Sequence, residues 1–130
     1  MTSRRQGLIL YAHGARDRRW AEPFQRLRER IAARAPQCIV TVAFLEHMAP
    51  DLASAAVQLA ARGASAVRIV PMFFGRGGHL REDFPRQLEA ARKAAPSVAF
   101  VVTQSAGESE QVQDALAEFA LAAPADGERD

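Results

Sequence analysis

The sequence predicts a doubly wound α/β fold, an open sheet of four parallel strands with helices on both faces. Short apolar runs alternate four times with segments whose apolar residues recur at helical spacing. The runs are continuously apolar rather than alternating, as expected of strands covered on both sides. Neither a repeat nor a low-complexity linker divides the 130 residues, so one domain is expected.

Residues 1–6 and 124–130 are polar and are expected to be flexible tails. Leu8 to Ala12 forms the first strand and ends at His13-Gly14. Trp20, Phe24, Leu27 and Ile31 then mark the first helix, with Pro23 tolerated in its opening turn. Ile39 to Leu45 is the second strand. Leu52, Ala56 and Leu59 lie on a second helix that stops near Gly63. Val67 to Phe74 is the third strand, with Pro71 near its end because proline donates nothing to a ladder. A third helix, starting near Asp83 and Pro85, carries Phe84, Leu88 and Ala91. Val98 to Val102 is the fourth strand. Ser105 and Glu108 resemble a capping box ahead of Val112, Leu116 and Phe119. Right-handed crossovers with strand order 2-1-3-4 are expected, which sets the first and third strands side by side.

Charge is balanced, with 17 basic and 15 acidic residues and a formal net charge of +2, so charge alone gives no case for nucleic acid. Its distribution is uneven. Arg16, Arg18, Arg19, Arg76 and Arg81 cluster around two histidine loops, while Glu108, Glu110, Asp114 and Glu118 come late. A locally positive mouth suits a small polyanion. The lone Cys38 excludes an internal disulfide and a zinc knuckle and reads as a small hydrophobe. No run approaches the ~20 apolar residues of a membrane span, and the Leu8 to Ala12 run is too short for a signal-peptide core, so a cytoplasmic protein is expected.

In open α/β sheets ligands bind at the carboxyl ends of the strands. Three groups suited to metal or proton chemistry fall there: His13 after the first strand, Glu46 after the second and His79 after the third, each 33 residues from the next. Two imidazoles and a carboxylate suit a borderline divalent metal with positions left open, and neutral imidazole accepts a proton near pH 7. Gly75, Gly77 and Gly78 let the backbone ahead of His79 approach a large ligand. His47 reads as a surface or interface residue, and Asp17 as a helix-entry residue.

Three segments taken in order make a more specific pattern. They are His13-Gly14-Ala15-Arg16-Asp17, Ala43-Phe44-Leu45-Glu46 with Pro50, and Pro71-Met72-Phe73-Phe74 through Gly78-His79 to Asp83-Phe84-Pro85. This pattern resembles the short CbiX-type sirohydrochlorin chelatases, and the likeness runs from about Leu8 to Leu116. It implies ATP-independent insertion of a divalent metal into sirohydrochlorin, with cobalt leading to cobalamin and iron to sirohaem. Nickel is a third candidate metal. No prosthetic group is implied, because the metal is itself a substrate.

Carried over by position, His13 and His79 match the family's paired metal-site histidines, and Glu46 matches its acidic site residue. Larger relatives contain two such halves, so a short chain is expected to work as a homodimer. Arg16, Arg76, Gly77, Gly78 and Arg81 are the candidate substrate-binding residues, the guanidinium groups pairing with macrocycle carboxylates. Ala15 stands where serine is common in the family, and Phe74 where leucine is common.

Two rival readings stand beside this one. A metal-delivery or sensor module would use the same ligands without turnover. A phosphate-handling enzyme would use Gly75 to Gly78 as an anion loop. Against the latter, Ala12 rather than arginine precedes His13, and neither a Walker-type lysine nor a serine nucleophile elbow is present.

Overall fold

The computed structural model describes residues 5–75 and 77–122, and for residues 78–81 the course of the backbone alone. Four strands, β1 (Arg5–Ala12), β2 (Ile39–Phe44), β3 (Ala64–Pro71) and β4 (Ala99–Val102), form one parallel sheet in the order β2-β1-β3-β4. Helices α1 (Glu22–Arg34), α2 (Leu52–Ala61), α3 (Gly78–Ala94) and α4 (Glu110–Ala122) separate or follow them. The predicted strand order is the observed one. No helix among the described residues is long and apolar enough to cross a membrane.

The two faces of the sheet bury different sets of side chains, because successive strand residues point to opposite sides. On one face Ile9, Tyr11, Val67 and Ile69 pack with Leu52, Ala55 and Leu59 of α2 and Ala91 of α3. On the other, Leu10, Val40, Val42 and Phe44 pack against Phe24, Leu27 and Ile31 of α1. The expected covering of both faces is therefore present, with α1 on one side and α2 and α3 on the other. The fourth helix departs from it: no residue of α4 is buried, and its contacts run chiefly to the 3-10 turn Ala106–Glu108 just before it.

Several boundaries differ from expectation for identifiable reasons. Arg5 and Gln6 are not tail, since they pair with Ala64 and Ala66 and extend β1. The 124–130 tail lies outside the described residues. Trp20 falls in a separate 3-10 turn, Arg18–Ala21, capped by Asp17, whose carboxylate accepts from the Arg19 N–H at 2.9 Å. Pro23 then sits in the first turn of α1, where its missing N–H costs nothing.

Strand β3 begins earlier, at Ala64 straight after Gly63, whose φ of 100° reverses the chain. It ends at Pro71, so Phe73 and Phe74 belong to the loop. The third helix starts at Gly78 rather than near Asp83, which puts Pro85 inside it and deprives that turn of one helical hydrogen bond. Ser105 and Glu108 form no capping box. Ser105 precedes the 3-10 turn without a side-chain bond to it, and Ser109 Oγ accepts from the Val112 N–H at 3.5 Å at the start of α4.

Candidate metal and proton-transfer site

The carboxyl ends of β1 and β2 lie side by side, which brings the loops after them into contact. Leu45 N donates to Ala12 O at 2.8 Å, so the two chains leave the sheet together. The side chains of His13 and Glu46, 33 residues apart, then meet with His13 Nδ1 3.3 Å from Glu46 Oε1. The other carboxylate oxygen, Oε2, accepts from the Gly14 N–H at 3.1 Å.

Glycine is required at position 14 for a specific reason. A Cβ there would stand 1.7 Å from the Glu46 carbonyl oxygen, so no other residue allows the loops to approach this closely. The backbone on the Glu46 side is also unusual, since His47 takes a left-handed φ of 67°. A non-glycine residue in that region carries strain and is uncommon outside functional loops.

Burial alone would raise the Glu46 pKa, but the hydrogen bonds from Gly14 and His13, with the nearby imidazoles, outweigh it and hold the carboxyl below its ordinary value. An ionised carboxylate only accepts hydrogen bonds. The proton of a neutral His13 ring therefore belongs on Nδ1, and Nε2 presents its lone pair outward. The ring is braced edge-on against Phe73, centroids 4.5 Å apart, and Trp20 Nε1 donates to the His13 carbonyl at 2.6 Å.

A part-buried relay connects to the loops that carry the pair. Tyr11, wholly buried at the end of β1, donates its hydroxyl to Gln87 Oε1 on α3, and Gln87 Nε2 donates to the Leu45 carbonyl at 3.0 Å. Burial, reinforced by the fields of Glu46, Asp83 and Asp51, pushes the Tyr11 phenol up, so it stays a neutral donor. This relay links β1, α3 and the segment before Glu46. Sequence reading missed both members. Tyr11 hid inside an apolar run, and Gln87 carried no signal beyond the helical register.

The third predicted group arrives by backbone. His79 lies in the first turn of α3, which follows β3, the other neighbour of β1. Its side chain, with those of Leu80 and Arg81, lies outside the described residues, as does Arg76 altogether. Among the described residues no three His, Cys, Asp or Glu side chains converge. Gly77 caps α3 in extended conformation, with open space where a Cβ would project. Arg16 is exposed beside the His13 loop. His47 is exposed and borders a separate open cavity of about 510 Å³ with Met48, Asp51 and Gln58.

Comparison with known proteins extends the match over the whole fold. A family model described as CbiX matches residues 7–122. The sirohydrochlorin cobaltochelatase of Sulfolobus acidocaldarius is 30% identical over 114 residues, 88% of this chain and 89% of its own. Its counterpart in Sulfurisphaera tokodaii is 27% identical over 112 residues, 86% of this chain and 88% of its own.

Among solved structures, one described as a CbiX protein of cobalamin biosynthesis from Marinobacter aquaeolei superposes with a TM-score of 0.76. It shares 26% identity, over 89% of this chain and 94% of that one. The sirohydrochlorin chelatase SirB from Bacillus subtilis subspecies spizizenii, solved with cobalt, has the same fold with a TM-score of 0.75 at 20% identity. That likeness covers 90% of this chain and 50% of SirB.

Proposed function

The chain belongs to the CbiX family, and on that premise we propose that it inserts a divalent metal into sirohydrochlorin without ATP. The observation that carries this reading is the His13–Glu46 pair at the carboxyl ends of β1 and β2. It joins an outward imidazole lone pair to an ionised carboxylate, which is what an incoming cation and a departing proton both need.

In this mechanism His13 Nε2 and His79 hold the cation against the macrocycle face, and Glu46 completes the metal set. Both Glu46 oxygens are engaged, by His13 and by Gly14, so it meets the metal by giving one contact up. Until then it orients the His13 ring. Insertion replaces two pyrrolic N–H protons by one divalent ion, and as the ion passes to the macrocycle two of the donor sites it vacates among His13, His79 and Glu46 take up those protons as general bases. Arg16, Arg76 and Arg81 pair with the substrate's carboxylates while Gly77 and Gly78 let the backbone approach it.

Cobalt is the metal in the names of the two relatives described above, with iron and nickel as alternatives, so in this reading the product feeds cobalamin or sirohaem formation in the cytoplasm. The working unit in this reading is a homodimer of one-domain chains. The match spans only half of SirB, and a flat macrocycle exceeds what one small cleft encloses.

The test is an anaerobic absorbance assay with purified protein, sirohydrochlorin and cobalt, iron or nickel in turn. Insertion above the spontaneous rate with at least one metal supports the reading. Metal binding with no acceleration for any of the three sinks it in favour of a delivery module.

A further inference from the structure

Three segments carry the side chains assigned to the metal, and all three are tied to one spot inside the fold. On β1, Tyr11 lies two residues before His13, and the two rings are joined through Phe73, which meets Tyr11 edge-on at a centroid distance of 6.0 Å and His13 at 4.5 Å. After β2, the residue ahead of Glu46 is pinned at both ends. Leu45 N donates to Ala12 O at 2.8 Å, and the Leu45 carbonyl accepts from Gln87 Nε2 at 3.0 Å. On α3, Phe84 packs against the Tyr11 ring with centroids 5.4 Å apart, and Gln87 Oε1 accepts from the Tyr11 hydroxyl.

Helix α3 needs such anchoring more than an ordinary helix does. Pro85 lacks the N–H that would close its turn, so the helix is weakened between its first turn, whose backbone carries His79, and the turns that follow. Tyr11 grips it on both sides of that weak point, through Phe84 just before the proline and Gln87 two residues after it. Gln87 lies eight residues beyond His79, about 12 Å further along the axis, and so acts on the site through the helix.

Packing does not fix the same spacing. A cavity of about 180 Å³ lies where α2, α3 and the end of β2 come together, lined by Leu45, Asp51, Leu52, Ala53, Gln87 and Ala90. Apolar contact therefore leaves α3 room to shift against the Leu45 segment, and the two bonds of the Gln87 amide define the distance. The amide has one orientation. Turned over, its oxygen would face the Leu45 carbonyl, two acceptors with no proton between them. The Tyr11 hydroxyl, donating to Oε1, keeps Nε2 toward Leu45.

We propose that Gln87, oriented by Tyr11, is a positioning residue that sets the span between His79 on α3 and the His13–Glu46 pair, and with it the opening offered to the incoming cation. The inference rests on the function proposed above and says what holds that site to its dimensions.

The experiment compares the full chain with Gln87→Leu, Tyr11→Phe and the double variant, at a temperature where circular dichroism shows each of them folded. Cobalt is titrated anaerobically without macrocycle and followed by its visible absorption, and insertion into sirohydrochlorin is measured separately. Gln87→Leu removes both bonds and suits a helix. It should weaken cobalt binding, alter the cobalt spectrum and lower kcat, the affinity and the rate each on the order of 10- to 100-fold, as loss of a group that orients metal ligands does. KM for sirohydrochlorin should not change. Tyr11→Phe should act in the same direction and less strongly, and the double variant should be no worse than Gln87→Leu, because the two residues work as one unit. Leu27→Ala, which loosens α1 on the other face of the sheet, is the control for lost stability and should keep the parental cobalt affinity and spectrum.

Parental cobalt affinity, spectrum and kcat in Gln87→Leu would overturn the proposal, as would the same losses in Leu27→Ala or a double variant weaker by the product of the single effects. Should Gln87→Leu not fold, Gln87→Ala is read against the same outcomes. A parent that binds cobalt without accelerating insertion sinks the proposed function, and the affinities and spectra of the variants still decide the positioning role. A parent that binds no cobalt overturns both.

Discussion

Gly14→Ala is the sharpest perturbation of the site, because the structure says how far things must move. The added Cβ would lie 1.7 Å from the Glu46 carbonyl oxygen, whereas ordinary contact begins at 3.4 Å. The loops after β1 and β2 must therefore part by about 1.7 Å, half an ordinary contact distance. That displacement takes the Gly14 N–H out of reach of Glu46 Oε2, now 3.1 Å away, and carries His13 from its 3.3 Å contact with Oε1. Overpacking of this kind costs about 1–3 kcal/mol. At this chain length that lowers the unfolding midpoint by roughly 3–15 °C. Misplacing a reacting group by about 1 Å costs on the order of 100-fold in rate. Thermal unfolding and the anaerobic insertion assay read the two effects, and Gly75→Ala, whose Cβ would enter open space, is the stability control. A Gly14→Ala protein that melts with the control and keeps half of the parental rate would refute the close-approach argument.

Three further outcomes are expected. Tyr11→Phe removes the hydroxyl that Gln87 accepts from and should cost about 1–3 kcal/mol in urea unfolding; no change would mean the relay is not structural. His79→Ala should abolish insertion while leaving the unfolding midpoint where it was, and near-parental activity after subtracting the spontaneous rate would remove His79 from the mechanism. Because the folded Glu46 carboxyl is held below its ordinary value, its stabilising contribution is complete above an unfolded pKa of about 4.3 and is lost as pH falls through the lower folded value. The stability difference between parent and Glu46→Gln should then be flat from pH 7 to 5 and shrink below about pH 4, modestly, since the group is part-exposed. A difference that shrinks between pH 7 and 5 would contradict the assignment.

The sheet was legible because parallel strands covered on both faces read as unbroken apolar runs, and β1, β2 and β4 sit within a few residues of where those runs lie. The meeting of His13 and Glu46 was legible for a related reason, since His13 is the first residue after β1 and Glu46 the second after β2, its neighbour in the sheet. What escaped reading depends on contacts between distant segments. Gly14 looks like any loop glycine until the Glu46 carbonyl is placed against it. The start of α3 at Gly78 was hidden by Pro85, normally a first-turn residue, which here falls inside the helix. Phe119 has the spacing of a core residue and is exposed, because spacing reports that a face is apolar and not which chain covers it.

The indole of Trp20 has a use beyond fixing the His13 carbonyl. It is the chain's sole tryptophan, and its Nε1 lies 2.6 Å from the backbone oxygen of His13, whose ring is the proposed metal ligand. Its neighbour Phe24, with ring centroids 6.1 Å apart, adds no competing emission in the same band. Fluorescence excited at the red edge of protein absorption therefore comes from one reporter, tied to the His13 loop and part-exposed to solvent. The molecule carries its own optical probe of that loop. Quenching or a spectral shift on adding metal would report occupancy at His13 before any macrocycle is present, letting cation capture be timed apart from insertion.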